Sequence, residues 1–286
     1  MARPESRIKA GYLPTEEHHY PAILSLLAPG NPDHRLLDPF AGEGEFLQAA
    51  AQAWNLTAYA NELDRDRAAI CAEKFGLERA VRGDVERLSA SNAAFSVGWF
   101  NPPYDGVSGE TKDNRRLEFK YLKHAWKWIA PQGVVLWVVY QSHLTDIALK
   151  FFSQNALEAT IWALPGLHQG EYRQVIVAAV KGANPRPDDL LNKLESEREN
   201  PCLLTVQAEP PYRLPALPKV AKFYFSPDEI DATTGAQLIA QAGAWAGAGF
   251  QALLHTPMPH EPESPVVTPR PGHLALALAG GLADGA

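Results

Sequence analysis

At 286 residues with 46% hydrophobic content, the chain is long enough for one large α/β domain plus an appendage. A formal net charge of −7 argues against a general basic face for gripping duplex DNA, since phosphate contacts dominate such affinity. Two cysteines suggest neither a disulfide framework nor a zinc site, the scattered histidines lack metal-ligand spacing, and no apolar run is long enough for a signal or a span, so a metal-free protein in a reduced cytoplasm, off the membrane, is expected.

In chain order, Gly11-Tyr12-Leu13-Pro14-Thr15 leads into an amphipathic helix, and Pro14-Thr15 there also reads as an ordinary cap. Leu36-Leu37 is a strand, Asp38-Pro39-Phe40-Ala41-Gly42-Glu43-Gly44 a glycine turn, and Phe46 to Trp54 a helix. Glycines let the backbone approach a ligand, and a helix N-terminus offers free N–H groups to a carboxylate. Leu47 stands where a dinucleotide fingerprint wants its third glycine, which favours an anion smaller than pyrophosphate. Thr57 to Glu62 is a second strand whose terminal acid, followed by Leu63, can take ribose hydroxyls. Asp64 caps a helix from Ala68 to Phe75. A third strand, Arg79 to Arg82, ends at Gly83-Asp84-Val85, where a carboxylate can accept an adenine amine. Phe95 to Phe100 is the fourth strand.

That fourth strand delivers Asn101-Pro102-Pro103-Tyr104 at its carboxyl end. The prolines fix two φ angles and remove two backbone donors. What faces outward is acceptors, the Asn101 amide oxygen and the carbonyls flanking the prolines, with an aromatic ring beside them. Such a ledge suits an NH2 group on a planar ring, held by two acceptors while Tyr104 stacks on the ring. Any one of these polar strand ends is an ordinary loop feature; four in order mark the ligand edge of an open α/β sheet.

From about Gly11 to Lys181 the chain resembles the class I S-adenosyl-L-methionine-dependent methyltransferases, in particular the amino-methyltransferases with an Asn-Pro-Pro-Tyr motif. The resemblance implies a Rossmann-like fold with a mostly parallel seven-stranded sheet flanked by helices. It implies a cofactor site made of Tyr12, Thr15, Asp38, Phe40, Ala41, Gly42, Gly44, Phe46, Glu62, Leu63, Asp84, Val85 and Asn101. Catalysis falls to Asn101, Pro102, Pro103 and Tyr104. Gly11 to Thr15 is similar to the segment that precedes the cofactor loop in N6-adenine DNA enzymes, which implies adenine in DNA as substrate and a restriction-modification, phage or mobile-element setting. The same ledge also serves RNA bases and the glutamine amide of translation factors, and those substrates stay open, as does a subunit inactive without a partner chain.

Leu117 to Ile129 is expected to be helical, Gly133 to Tyr140 a strand buried on both faces, and Ser142 the cap of a helix to Phe152. Strands Leu157 to Leu164 and Gln174 to Lys181 follow, joined by a loop carrying Gly166, His168, Gln169, Tyr172 and Arg173. Between Asp105 and Ala130 basic residues outnumber acidic ones, and Arg115-Arg116 follow the ledge directly. They read either as substrate-phosphate contacts or as a solvated charged loop. The methyltransferase domain is expected over 1–182 and a Pro-rich α+β extension over 183–286, because more than half of the 24 prolines lie beyond Gly182. In that extension Pro187 to Asn200 is a surface helix, Lys222 to Phe225 an edge strand, and Pro227 to Ala246 an amphipathic helix. The apolar stretch His273 to Ala279 invites a partner subunit or a second copy, and the abrupt stop after it suggests a truncated or split chain.

Overall fold

A computed structural model describes residues 14–103, 117–165, 173–217 and 219–227, with Gly235 and Ala240 beyond them. Among the described residues, eight strands form one sheet in the order β3-β2-β1-β5-β6-β8-β7-β9. These are β1 (Arg35–Asp38), β2 (Thr57–Glu62), β3 (Ala80–Arg82), β5 (Phe95–Phe100), β6 (Ile129–Tyr140), β7 (Ala156–Ala163), β8 (Gln174–Lys181) and β9 (Cys202–Leu203). A separate two-residue pair joins β4 (Ser89–Ala90) to β10 (Phe225–Ser226). The sheet is parallel except for β8, which runs antiparallel between β6 and β7. The Rossmann-like, mostly parallel sheet is therefore as expected, with the short β9 as an eighth strand on one edge.

Strand alternation sorts the core into two layers. Leu36, Val97, Trp99, Leu136 and Ile176 face a layer with α1 (Tyr20–Leu24), α2 (Glu45–Trp54) and α3 (Arg65–Phe75). Leu37, Phe95, Val135, Trp137 and Val177 face a layer with α4 (Leu117–Trp126), α5 (Asp146–Asn155) and α6 (Pro187–Glu199). The expected surface helix α6 is thus anchored, with Leu190 and Leu194 in that second layer. No described helix is long and apolar enough to cross a membrane.

One strip of the second layer is built differently. Between β3 and β5 the chain makes only a 3-10 turn, Val85–Arg87, and the short β4. The sheet face at Tyr59 and Phe95 is covered instead by Phe223 and Phe225. Ring centroids lie 5.1 and 5.3 Å from Tyr59, and 5.8 and 6.1 Å from Phe95. The Arg35 guanidinium sits over Phe223 at 4.3 Å. Ser91 clasps this segment by exchanging hydrogen bonds with Tyr224 and donating to the Lys222 carbonyl.

Three boundaries differ from the sequence reading. Helix α4 stops at Trp126, short of Ile129, because the Lys127 and Trp128 carbonyls accept from Ala93, Ala94 and Phe95, which starts β6 at Ile129. Ser142 lies in a 3-10 turn, and Thr145 caps α5 by accepting from the Ala148 amide. The strand expected at Lys222 to Phe225 is only Phe225–Ser226, where pairing with β4 begins. Contacts divide the chain into two units, Met1–Asp228 and Glu229–Ala286. Of the helix expected at 227–246, Pro227 is not helical and Gly235 and Ala240 are; its other residues and the apolar stretch 273–279 lie outside the described residues.

Candidate functional site

The strand order reverses at β1, which pairs β2 on one side and β5 on the other. A crevice opens at such a switch point, at the carboxyl ends of the strands. Here those ends are Asp38, Glu62, Arg82-Gly83-Asp84 and Asn101.

The glycine turn after β1 is braced from beneath. Gly42 and Gly44 have φ of 57° and 80°, a region that a side chain would strain. A Cβ on Gly44 would also meet the Phe75 ring at 2.8 Å. The Gly42 amide donates to Glu62 Oε2 at 2.9 Å, while the Gly42 carbonyl accepts from Cys71 Sγ at 3.1 Å. Burial first, then Asp38 and Glu62, push that thiol up to about 12, so it stays a donor. Lys74 Nζ holds the Glu43 carbonyl at 2.6 Å.

Glu62 is the hub of the next corner. Its Oε1 accepts from the Asp64 amide at 2.8 Å and from both Arg67 Nε at 3.2 Å and Arg67 Nη2 at 2.8 Å, whereas Oε2 accepts from Gly42. Asp64 caps α3 as expected, accepting from the Asp66 and Arg67 amides. Asp84 caps the 3-10 turn through the Glu86 amide, and Lys120 of α4 reaches Glu86 at 2.6 Å.

Two clefts meet at Phe40 and Asn101, which line both. The larger, about 420 Å³, takes in Thr15, Asp38, Ala41, Phe46 and Trp99. The smaller, about 200 Å³, takes in Glu62, Leu63, Asp84, Val85 and Pro103. Leu63 stands 62% exposed against it, an apolar surface turned to the opening. Pro102 is buried behind the ledge. Tyr12, Tyr104, Arg115, Arg116 and the loop residues Gly166, His168, Gln169 and Tyr172 lie outside the described residues.

Several lining residues were missed by the sequence reading. Tyr121 of α4 walls the smaller cleft, its ring 5.4 Å from Phe40. Its place on the helix stripe was visible, but not which end of the sheet the helix overhangs. Asn61 and Arg67 line the same cleft. Tyr20, Glu16, Glu17, Glu43 and Glu45 line the larger one, so carboxylates crowd it and no lysine or arginine is among its described walls. Their field is felt: burial first, then Glu45 and Glu17, push the Tyr20 phenol up to about 12. Asp38 shifts further for another reason: burial first, and to a lesser extent Glu62, raise it to about 8 against the pull of the Phe40 amide at 2.9 Å.

The sequence profile of an uncharacterised methyltransferase family (DUF6094) matches residues 1–220. No curated protein matches the chain. Among solved structures, the type I restriction-modification methyltransferase subunit from Streptococcus thermophilus aligns with 13% identity and a TM-score of 0.46, covering 66% of this chain and 53% of that one. The chain thus spans about half the length of that protein. The type IIG restriction endonuclease BpuSI aligns with 20% identity and a TM-score of 0.47, over 68% of this chain and 30% of that one. TYW2 from M. jannaschii, in complex with AdoMet, aligns with 14% identity and a TM-score of 0.44, over 60% and 78% respectively.

Proposed function

The chain belongs to the methyltransferase family whose profile spans residues 1–220, and from that premise we propose that it transfers a methyl group from S-adenosyl-L-methionine to the exocyclic N6 amine of adenine in DNA. The observation that carries this reading is the position of Asn101, at the end of β5 and on the wall of both clefts.

The two clefts fit the two halves of that cofactor. The smaller offers an acid for a ribose hydroxyl at Glu62, through Oε2, an acid for a purine amine at Asp84, and apolar walls in Leu63, Val85 and Tyr121. The larger offers Asp38, a buried carboxyl raised to about 8, which a cationic neighbour would relieve. When bound, the cofactor supplies a methyl group on a positively charged sulfur. The protein's part is to prepare the nucleophile, whose lone pair is delocalised into its ring. Asn101 Oδ1 and the Pro102 carbonyl accept the two amine hydrogens and favour a pyramidal nitrogen with its lone pair aimed at the methyl. Tyr104 stacks on the ring, replacing the stacking that a flipped base loses. Proximity and alignment then provide much of the acceleration. Residues 1–182 carry this chemistry, and 183–286 carry a role in target or partner recognition.

A second reading keeps the chemistry and changes the substrate to a protein side-chain amide or an RNA base. The carboxylates around the larger cleft favour the protein amide, because Glu16, Glu17, Glu43 and Glu45 repel phosphate and attract a basic polypeptide. One experiment separates the readings: mass spectrometry of nucleosides and tryptic peptides after incubation with isotope-labelled cofactor. Methyladenine in DNA is expected, while methylglutamine, or methylated RNA alone, would overturn the DNA assignment. Asn101→Ala is expected to abolish transfer while leaving cofactor affinity within about threefold. Substantial turnover in that variant would remove Asn101 from the mechanism.

A further inference from the structure

Successive side chains on a strand point to opposite faces. Glu62 therefore serves the glycine turn and α3, and Asn61, one residue earlier, serves the other side of the same cleft. Asn61 is 1% exposed. Its amide nitrogen donates to the Pro39 carbonyl and to the Gly83 carbonyl, each at 3.1 Å. Those two acceptors fix the orientation of the amide, since turning it over would set oxygen against two oxygens. The position of Oδ1 follows, and among the described residues no donor reaches it. A buried acceptor left without a donor is uncommon and destabilising, and beside a cleft a donor on a ligand can satisfy it.

A cleft adjoins it. Asn61 and Gly83 both line the smaller cleft, next to Asp84. A Cβ built on Gly83 would stand 3.7 Å from Asn61 Oδ1 and 3.6 Å from Pro227 Cβ, both ordinary contact distances. With glycine there, no side chain of residue 83 stands against the orphaned oxygen.

We propose that Asn61 is a purine-recognition residue, its Oδ1 accepting a hydrogen bond from the exocyclic amine of the cofactor's adenine beside Gly83. The proposal rests on the cofactor reading above and adds a residue and a criterion to it. Asn61 and Asp84 together distinguish an aminated purine from one bearing hydrogen or oxygen at the same carbon. A ligand without the amine leaves Oδ1 unpaired, and a site built around a hydrogen bond rejects such a ligand strongly.

The test is calorimetric titration of the full chain with S-adenosylhomocysteine and with its 6-deamino analogue, neither of which is turned over. The wild-type protein is expected to prefer the aminated ligand by about 10-fold or more. Asn61→Ala and Gly83→Ala are each expected to lower that preference about fivefold. Gly83→Ala sets a methyl group against Oδ1 at ordinary contact distance and leaves both Asn61 donor bonds in place, so it probes the acceptor without loosening the loops. If Asn61→Ala weakens both ligands by one common factor, Asn61 is only a brace and the proposal is overturned. An unchanged preference in Gly83→Ala overturns it as well. A wild-type protein that binds neither ligand overturns the cofactor reading itself, a failure distinct from a preference that survives both substitutions.

Discussion

Asp38 holds a carboxyl group where its charge is unwelcome, 3% exposed and close to Glu62. Raised from 3.8 to about 8, it keeps its proton in the folded chain over a range where the unfolded chain has lost it. Stability of the ligand-free protein therefore falls as pH rises through that window, and this contribution is fully present only below the lower value. Urea midpoints measured across the window are expected to decline more steeply for the wild type than for Asp38→Asn. A cationic ligand beside Asp38 favours the carboxylate, so cofactor binding near neutral pH is expected to release about one proton. Titrations in two buffers of different ionisation enthalpy measure that proton, and a heat independent of buffer would count against a cation at Asp38. Asp38, Glu62, Asp84 and Asn101 were legible as candidates because each closes a short strand-like run and meets a turn. Asn61 was not, because its meaning depends on strand alternation and on two carbonyls brought in from Pro39 and Gly83.

The elements divide in the same way. Strands buried on both faces, such as the run from Val134 to Val139, declare themselves by continuous apolar sequence. Pairing between distant short segments does not, and β10 with β4 is two residues against two. The covering of Tyr59 and Phe95 by Phe223 and Phe225 likewise follows from a missing helix more than a hundred residues earlier, which no local pattern near Phe223 announces. Because these two rings are partly buried, Phe223→Ala and Phe225→Ala are each expected to cost about 2 kcal/mol, below the range for a fully buried Phe. The loss should appear as a lower urea midpoint at unchanged slope. The same variants should weaken nucleoside binding, since β4 follows directly from the turn that Asp84 caps.

At the scale of the molecule, the −7 charge and the carboxylates of the larger cleft disfavour a nucleic acid against that cleft. Under the DNA reading, Arg115 and Arg116 are expected to supply two phosphate contacts, so replacing both with alanine should flatten the salt dependence of DNA binding by about 1.8 in log–log slope. An unchanged slope would return those arginines to a solvated loop, and weak binding that rises on pairing with a basic protein would favour a polypeptide substrate or a partner subunit. The aromatic strap carries a further consequence for biosynthesis. Tyr59 and Phe95 leave the ribosome well before the residues that cover them, so the nascent chain displays a bare aromatic strip beside the corner that bears Asp84. Until Phe225 has emerged and paired with Ala90, that corner lacks its aromatic cover, and the growing polypeptide is expected to expose an apolar surface of the kind chaperones bind.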